Sequence, residues 1–517
     1  MGQNPRIWLS FLGAKLAIPV VCVAIVMLHL LSLMRFPSPF VDEAWLTSRA
    51  WAFLSTGRAF GPLDSGIGER FDGYWTYNSW LTTWIHSLGL RLTDTPSLFA
   101  TRLVSLLFGL LLLIAIYVIG SRLGGRRLGL LSAFLVSVSW AFFVSAHLVR
   151  YDILAAALGF MAIALYFYKP GSALVSLASG LCVGLAFEIH PYSLMYGPAI
   201  AALYLVDQGW AALKSRALWS FALGAGAGIA LYVGLHILPY PQTYLAFNKF
   251  FIGPTHTPPL LTLDIGVMIR AILQMGLLVF SAYWGGLLLV SLLMLVTWGI
   301  VTKRFVIDRR LLVLIAVLFL GDALLFQKKV YYYAILFTPA LDVVLAAFVL
   351  SAWQRQSRRS SVLDIANRVI AAVFVISSLG IVLWATATFD GWQDFQKTES
   401  KVRQAIRPGE VIMGAQTYWF GLYDHKYFSW EQLVYYRHFK PGSSVADAFR
   451  EFRPDVFIMN GHIDIWLADQ PSDDAYSEYL RLPRTEMEEF LGQHASLVAT
   501  VNEGAQDPTR IYRLSWE

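Results

Sequence analysis

Apolar residues in this chain fall mainly in long runs separated by short polar loops. Crossing a bilayer as a helix takes about 20 apolar residues. Eleven runs reach or approach that length: 16–34, 98–120, 128–146, 153–168, 173–188, 192–206, 217–238, 277–300, 311–326, 331–350 and 369–388. Tilt or local thinning of the bilayer accommodates the shorter ones. Two stretches depart from this pattern. Loop 35–97 is too long and too aromatic for a plain connector. Within it, Leu46, Ala50, Phe53 and Leu54 share one helical face, as do Trp80, Trp84 and Leu88, which predicts two helices lying along the membrane interface. Tryptophans also simply mark the interface, and the two readings do not exclude each other.

Beyond residue 390 the runs become short. Val411–Ala415, Val456–Met459, Leu497–Val501 and Ile511–Leu514 have the character of strands, and 444–453 and 484–493 that of helices. The predicted architecture is an α-helical polytopic membrane region, residues 1–389, followed by an extracytoplasmic α/β domain, residues 390–517.

Composition agrees. Of the 517 residues, 57% are hydrophobic and 14% charged, against about 25% charged in a soluble domain. Charge also divides at residue 390: the tail holds 13 Lys and Arg against 20 Asp and Glu, a net −7, leaving +13 for the rest of a chain of net +6. The basic residues cluster in alternate short loops: Arg122/Arg126/Arg127, Lys169, Lys214/Arg216, Lys303/Arg304/Arg309/Arg310 and Arg355/Arg358/Arg359/Arg368. The positive-inside rule makes these loops and the N-terminus cytoplasmic. Loop 35–97, the turns near 150, 190 and 328, the segment 239–265 and the tail then lie outside. Basic residues placed this way orient a membrane protein and do not form a nucleic-acid footprint. The first run follows Arg6 and Lys15 as a signal peptide would, but its exit, Met34-Arg35-Phe36-Pro37, lacks a small-residue cleavage pattern, so a retained first helix is expected. Cys22 and Cys182 lie in apolar runs, with no disulfide framework or thiolate metal site.

Ionisable residues in or at a membrane are functional candidates, and only 14 acidic residues precede position 390. Asp42 and Glu43 follow Pro37-Ser38-Pro39-Phe40. Arg150-Tyr151-Asp152, preceded by His147, occupies the next outer turn. Glu188 and His190 occupy another. Lys328 and Lys329, followed by Tyr331, occupy a fourth, and depart from the charge rule that places them outside. Each group also has an ordinary explanation: helix caps for Asp42, Glu43 and Asp152, a polar turn for Glu188 and His190, and interface anchors for the lysines and tyrosine. All four groups nevertheless fall on one side of the membrane. Cations there can hold a lipid phosphate while a carboxylate takes a proton from an incoming hydroxyl. No Walker or dinucleotide-binding glycine motif occurs in a strand-to-helix setting.

The stretches Thr101-Arg102-Leu103-Val104 to Phe108-Gly109-Leu110, Gly120-Ser121-Arg122-Leu123-Gly124-Gly125 and Arg150-Tyr151-Asp152-Ile153-Leu154 resemble integral-membrane glycosyltransferases of the GT-C fold. The resemblance is to the family-39-like enzymes: protein O-mannosyltransferases, the aminoarabinose transferase of lipid A and Rgt-type lipopolysaccharide sugar transferases. It covers roughly residues 35–210, and the rest by layout; the tail matches no domain of that family. In such enzymes an Asp-Glu pair occupies the first outer loop, matched by Asp42-Glu43, and a further Asp a later outer turn, matched by Asp152. The resemblance implies a polyprenyl-phosphate sugar donor, inversion at the anomeric carbon, Asp42 as general base, Glu43 orienting it or the acceptor, and Asp152 supporting the sugar or base. Arg150, Lys328 and Lys329 would hold the phosphate, the lysines on chemical grounds rather than a motif match. His147, Tyr151, Glu188, His190 and Tyr331 are candidate substrate contacts. No metal constellation is indicated. The expected partners are the lipid-linked donor, membrane lipid and a glycan, lipid or protein acceptor, at a bacterial inner membrane. A flippase for a lipid-linked intermediate is the competing reading; Asp342, inside the tenth run, favours it, although a polar contact between packed helices explains that residue too. A non-catalytic assembly protein with a partner-binding tail is a third reading.

Overall fold

The computed structural model describes residues 5–71, 78–255, 258–283, 286–301, 305, 307–326, 331–354, 362–502 and 508–516. Helices dominate. The first nine that matter here are α1 Pro5–Ser32, α2 Val41–Thr56, α3 Trp80–Leu90, α4 Leu98–Ser137, α5 Trp140–Ala146, α6 Tyr151–Tyr168, α7 Ala173–Ile189, α8 Tyr196–Gln208 and α9 Arg216–Tyr232. Helices Ile265–Ala282, Gly286–Val301, Arg309–Leu325, Thr338–Gln354 and Val362–Thr388 follow. Among the described residues five helical segments are long and apolar enough to cross a membrane, with several shorter apolar helices beside them. One of them, α4, is broken at Gly124 (φ −147°) and Gly125 (φ 80°). The positive φ of Gly125 is one that glycine adopts without penalty. The two arms fold back closely: a Cβ on Gly120 would lie 2.9 Å from the Cα of Gly129. The expected runs 98–120 and 128–146 therefore separate where the sequence divides them. Their second run is itself interrupted, with α5 beginning after Ser139 caps it.

Small residues let α7 and α9 approach equally closely, since a Cβ on Gly184 would lie 2.6 Å from Gly228 Cα. The expected single run 277–300 is instead two helices, Ile265–Ala282 and Gly286–Val301. The second helix opens on Gly286, and glycine opposes helix continuation. At one end of the helical region Arg310 lies 3.9 Å from Asp207 and over the Phe167 ring, and Arg122 lies over Tyr168. The ends of α4, α6 and α8 and the start of Arg309–Leu325 thus gather where the sequence places basic loops. Lys303, Arg304, Arg355, Arg358 and Arg359 lie outside the described residues.

At the opposite end sits the tail. Among the described residues its five strands, β1 Ile412–Gly414, β2 Tyr427–Ser429, β3 Val456–Met459, β4 Ala495–Val501 and β5 Thr509–Leu514, form one mixed sheet in the order β2-β1-β3-β5-β4. The β1 strand runs parallel to β2 and β3, while β5 is antiparallel to β3 and β4. Four of these strands follow the expected runs. The fifth, β2, is three residues long, too short for a periodic signal. The tail shares a core with the outer loop: Ala44, Trp45 and Leu46 of α2, with Leu63, Ile67 and Phe71, pack in the same cluster as Trp419, Trp430 and Phe449. Backbone contacts reinforce this, with Ile67 N donating to Gln432 Oε1 at 2.9 Å and Gly391 N to Arg35 O at 2.8 Å. Of the two helices expected along the interface, α2 therefore buries part of its apolar face under the tail. Trp84 and Leu88 of α3 are exposed to the surroundings, as a membrane-facing stripe requires.

Candidate active site

The site is organised by an arginine. Arg102 lies in the first turns of α4, fully buried, and its guanidinium grips Glu43 bidentately at 2.8 and 2.7 Å. Its remaining Nη1 donates to Leu33 O at 2.9 Å and Pro37 O at 3.0 Å, the backbone that leaves α1. Glu43 also accepts from Phe40 N at 2.9 Å, closing the N-terminus of α2, and from Val149 N at 3.0 Å. Three separate segments are thereby fixed to one another: the exit of α1, the start of α2 and the corner before α6. Adjacent side chains follow. With Glu43 directed inward, Asp42 faces Arg150 and forms an ion pair with it. Arg150 also donates through Nε to Asp152 Oδ2 at 2.7 Å. The face of Tyr332 lies 3.6 Å from the guanidinium carbon, a cation–π contact. Asp152 is therefore a partner of Arg150 rather than the cap of α6, whose N-cap has no side-chain hydrogen bond. The α2 cap is likewise supplied by Glu43, which leaves Asp42 to the ion pair.

A cavity of about 300 Å³ opens over this group. On the membrane side it is lined by Asp42, Arg49, Arg150, Tyr151, His190 and Tyr332. On the other side the tail lines it, with Glu431, Tyr435, His462, Trp466 and Tyr476. Asp42 is 39% exposed here, whereas Arg150 is 5% and Asp152 1% exposed. Arg49 is held by Asp64 through Nε and Nη2 at 2.7 to 3.2 Å and donates Nη1 to the Tyr151 hydroxyl at 3.3 Å. This cross-link between loop 35–97 and α6 sets the orientation of Tyr151.

The outer turns expected to converge do so in part. Asp42, Arg150, Tyr151 and His190 meet at the cavity, with Asp152 behind Arg150. Glu188 does not line it: it accepts from Ser79 Oγ at 2.8 Å, from Trp80 N and Leu81 N at the start of α3, and pairs with His236 at 3.0 Å. A carboxylate there satisfies donors that a helix N-terminus leaves unpaired. His147 does not line it either. It is fully buried, 3.0 Å from His29, and donates Nδ1–H to Phe36 O. Tyr331 is 44% exposed and is not among the lining residues, although its neighbours Tyr332 and Tyr333 are. Lys328 and Lys329 lie outside the described residues. Asp342 accepts from Tyr283 OH at 2.8 Å, a polar contact between packed helices. Among the described residues no group of three or more His, Cys, Asp or Glu is arranged to hold a metal ion.

Sequence reasoning missed Arg49, Arg102 and the tail residues. For Arg102 a signal existed, an arginine within the opening turns of a strongly apolar helix. Arg49 and Asp64 are ordinary loop charges whose pairing is visible only in three dimensions.

Residues 78–235 match the family model described as dolichyl-phosphate-mannose-protein mannosyltransferase. No curated protein sequence matches the chain. Among solved structures it is similar to ArnT from Cupriavidus metallidurans bound to undecaprenyl phosphate, with a TM-score of 0.61, 13% identity and coverage of 97% of this chain and 98% of that one. The apo form of the same protein gives a TM-score of 0.60 at 14% identity, with the same coverage. The archaeal oligosaccharyltransferase AglB from Archaeoglobus fulgidus, in complex with an inhibitory peptide and a dolichol-phosphate, gives 0.51 at 12% identity, covering 87% of this chain and 70% of that one. Helical content, the cavity between the membrane helices and the tail, and similarity to ArnT along nearly the whole of both chains lead to one conclusion: this chain has the fold of the GT-C membrane glycosyltransferases.

Proposed function

We propose that the chain transfers a sugar from a polyprenyl-phosphate-linked donor to an acceptor hydroxyl at the extracytoplasmic face of a bacterial inner membrane. The observation that carries this reading is the Asp42–Arg150–Asp152 group at the floor of the cavity. Arg150, held by Asp152 and stacked on Tyr332, is a planar cation suited to a phosphate. Asp42, the exposed carboxylate of the group, takes the proton from the acceptor hydroxyl. The acceptor oxygen bonds to the anomeric carbon while its bond to the phosphate oxygen breaks, and the polyprenyl phosphate leaves with charge stabilised by Arg150. A single displacement of this kind inverts the anomeric centre. Glu43 is a positioning residue in this scheme, acting through the backbone of Val149 and the start of α2. The similar structures of ArnT bound to undecaprenyl phosphate and of AglB in complex with a dolichol-phosphate support a lipid-phosphate donor. If Lys328 and Lys329 add to the phosphate site, their substitution by Ala lowers apparent donor affinity with folding intact.

The experiment compares purified wild type and Asp42→Asn for sugar transfer from a panel of undecaprenyl-phosphate sugars. Loss of turnover with donor binding retained is expected. Full turnover in Asp42→Asn would remove Asp42 as the base. Movement of lipid across vesicle leaflets without any transfer would favour a flippase.

A further inference from the structure

The tail supplies one whole wall of the cavity, and its chemistry differs from that of the opposite wall. The membrane side carries Arg49 and Arg150. The tail side carries a carboxylate, an imidazole and three aromatic rings, with no Lys or Arg among the described lining residues. Glu431 is held in place by Gln416 Nε2 at 2.9 Å and by the Tyr435 hydroxyl, which donates to its other oxygen. Burial and the neighbouring Glu431 carboxylate push Tyr435 well above the usual phenol range, so it remains the donor of that pair. Trp466 and Tyr476 meet edge to face at 6.0 Å, and Tyr435 is wedged edge-on against Phe251 at 6.1 Å. Rigid aromatic faces beside a fixed carboxylate are suited to pyranose rings. The rings pack on the apolar C–H face of a sugar, and the carboxylate accepts from its hydroxyls.

Other acceptors suit the wall less well. A phosphorylated acceptor would face Glu431, an arrangement of like charges. An extended peptide gains its affinity largely from backbone pairing with an exposed strand edge, yet the tail lines the cavity from helices Glu431–Phe439, Gly461–Asp464 and Ala475–Leu480 and from Trp466, with no strand residue among the lining. The cavity is also small, at the lower end of the roughly 300–1,000 Å³ of ligand pockets.

Resting on the transferase reading above, we infer that the acceptor is an uncharged sugar residue, seated against Trp466 and Tyr476 with hydroxyls directed at Glu431 and His462. The test uses the full-length chain in nanodiscs, loaded with undecaprenyl phosphate so that the phosphate site is filled. Saturation-transfer NMR follows three kinds of probe: methyl hexopyranosides, a threonine-containing peptide and glucose 6-phosphate. The expected result is transfer to at least one methyl hexopyranoside, with binding weakened by about tenfold in Glu431→Gln, the loss of one charge-assisted hydrogen bond, and also in Trp466→Ala. Glu431→Gln is nearly isosteric and keeps the comparison valid if Trp466→Ala does not fold. Glycoside binding that survives both substitutions, or binding of the peptide or the sugar phosphate alone, would overturn the inference. If no glycoside binds while undecaprenyl phosphate does, this inference fails and the transferase reading stands. If undecaprenyl phosphate itself does not bind the wild type, the reading beneath it fails, and the inference with it.

Discussion

Asp42 and Glu43 are neighbours in the chain and carry the same charge, yet each belongs to a different arginine centre. Glu43 joins Arg102 in a sealed centre where both side chains have no exposure and their hydrogen-bonding groups are engaged by backbone or by each other. Asp42 joins Arg150 in a centre that opens on a cavity, where the carboxylate is 39% exposed and one oxygen of Asp152, Oδ1, has no hydrogen-bond partner among the described residues. The first centre has little left with which to bind a ligand. The second has cation, carboxylate and space together. The contrast separates an anchor from a group open to a ligand by saturation rather than by residue type: a buried pair with every lone pair engaged holds structure, and a half-open pair can exchange partners.

Substitutions in the two centres should therefore fail in different ways. The largest effect is expected for Asp42→Asn, with sugar-transfer turnover reduced by about 10²–10⁴-fold, the range for loss of a general base, and an unchanged melting temperature in detergent. A parallel fall in melting temperature would place Asp42 with the anchor instead. Arg102→Leu should do the reverse. It leaves Glu43 buried and unpaired, at a cost of about 3–5 kcal/mol, and should appear as a lower melting midpoint and a smaller monodisperse fraction on gel filtration. A protein that melts like the wild type would show that Arg102 does not anchor the three segments. A smaller change is expected for Arg150→Lys, which keeps the charge but loses the planar fork. Undecaprenyl-phosphate affinity, measured by native mass spectrometry, should weaken by about tenfold, with stability close to wild type. The smallest effect belongs to Glu188→Gln. It should lower the melting midpoint by the equivalent of about 1 kcal/mol through weaker capping of α3 and leave donor and acceptor dependence unchanged; a shift in either KM would return Glu188 to the substrate site.

The tail makes a second contrast with the membrane region. Helices in a bilayer must satisfy their backbone internally, so each apolar run forms an element whatever its neighbours do. In the tail, short strands such as β2 exist because β1 pairs with them, and nothing local marks Tyr427–Ser429 as a strand. The break between Ile265–Ala282 and Gly286–Val301 shows the limit of the simpler rule, since a continuous apolar count does not register where a helix stops and another begins.

By itself the sequence determined the apolar, helical character of most of the chain before the tail, the polar and acidic tail, the division of runs 98–120 and 128–146 and the presence of Asp42 and Arg150 in separate turns. These follow from the solvent each segment requires and from local backbone preference, both of which are properties of short stretches. The tertiary structure decided which carboxylate of the Asp42-Glu43 pair meets the cavity, that Glu188 and His147 are engaged elsewhere, and that Glu431 and Trp466 stand opposite Arg150. Those outcomes depend on contacts between residues far apart in the chain, 59 positions for Arg102 with Glu43 and 108 for Trp80 with Glu188, for which one chain read in order carries no distance information.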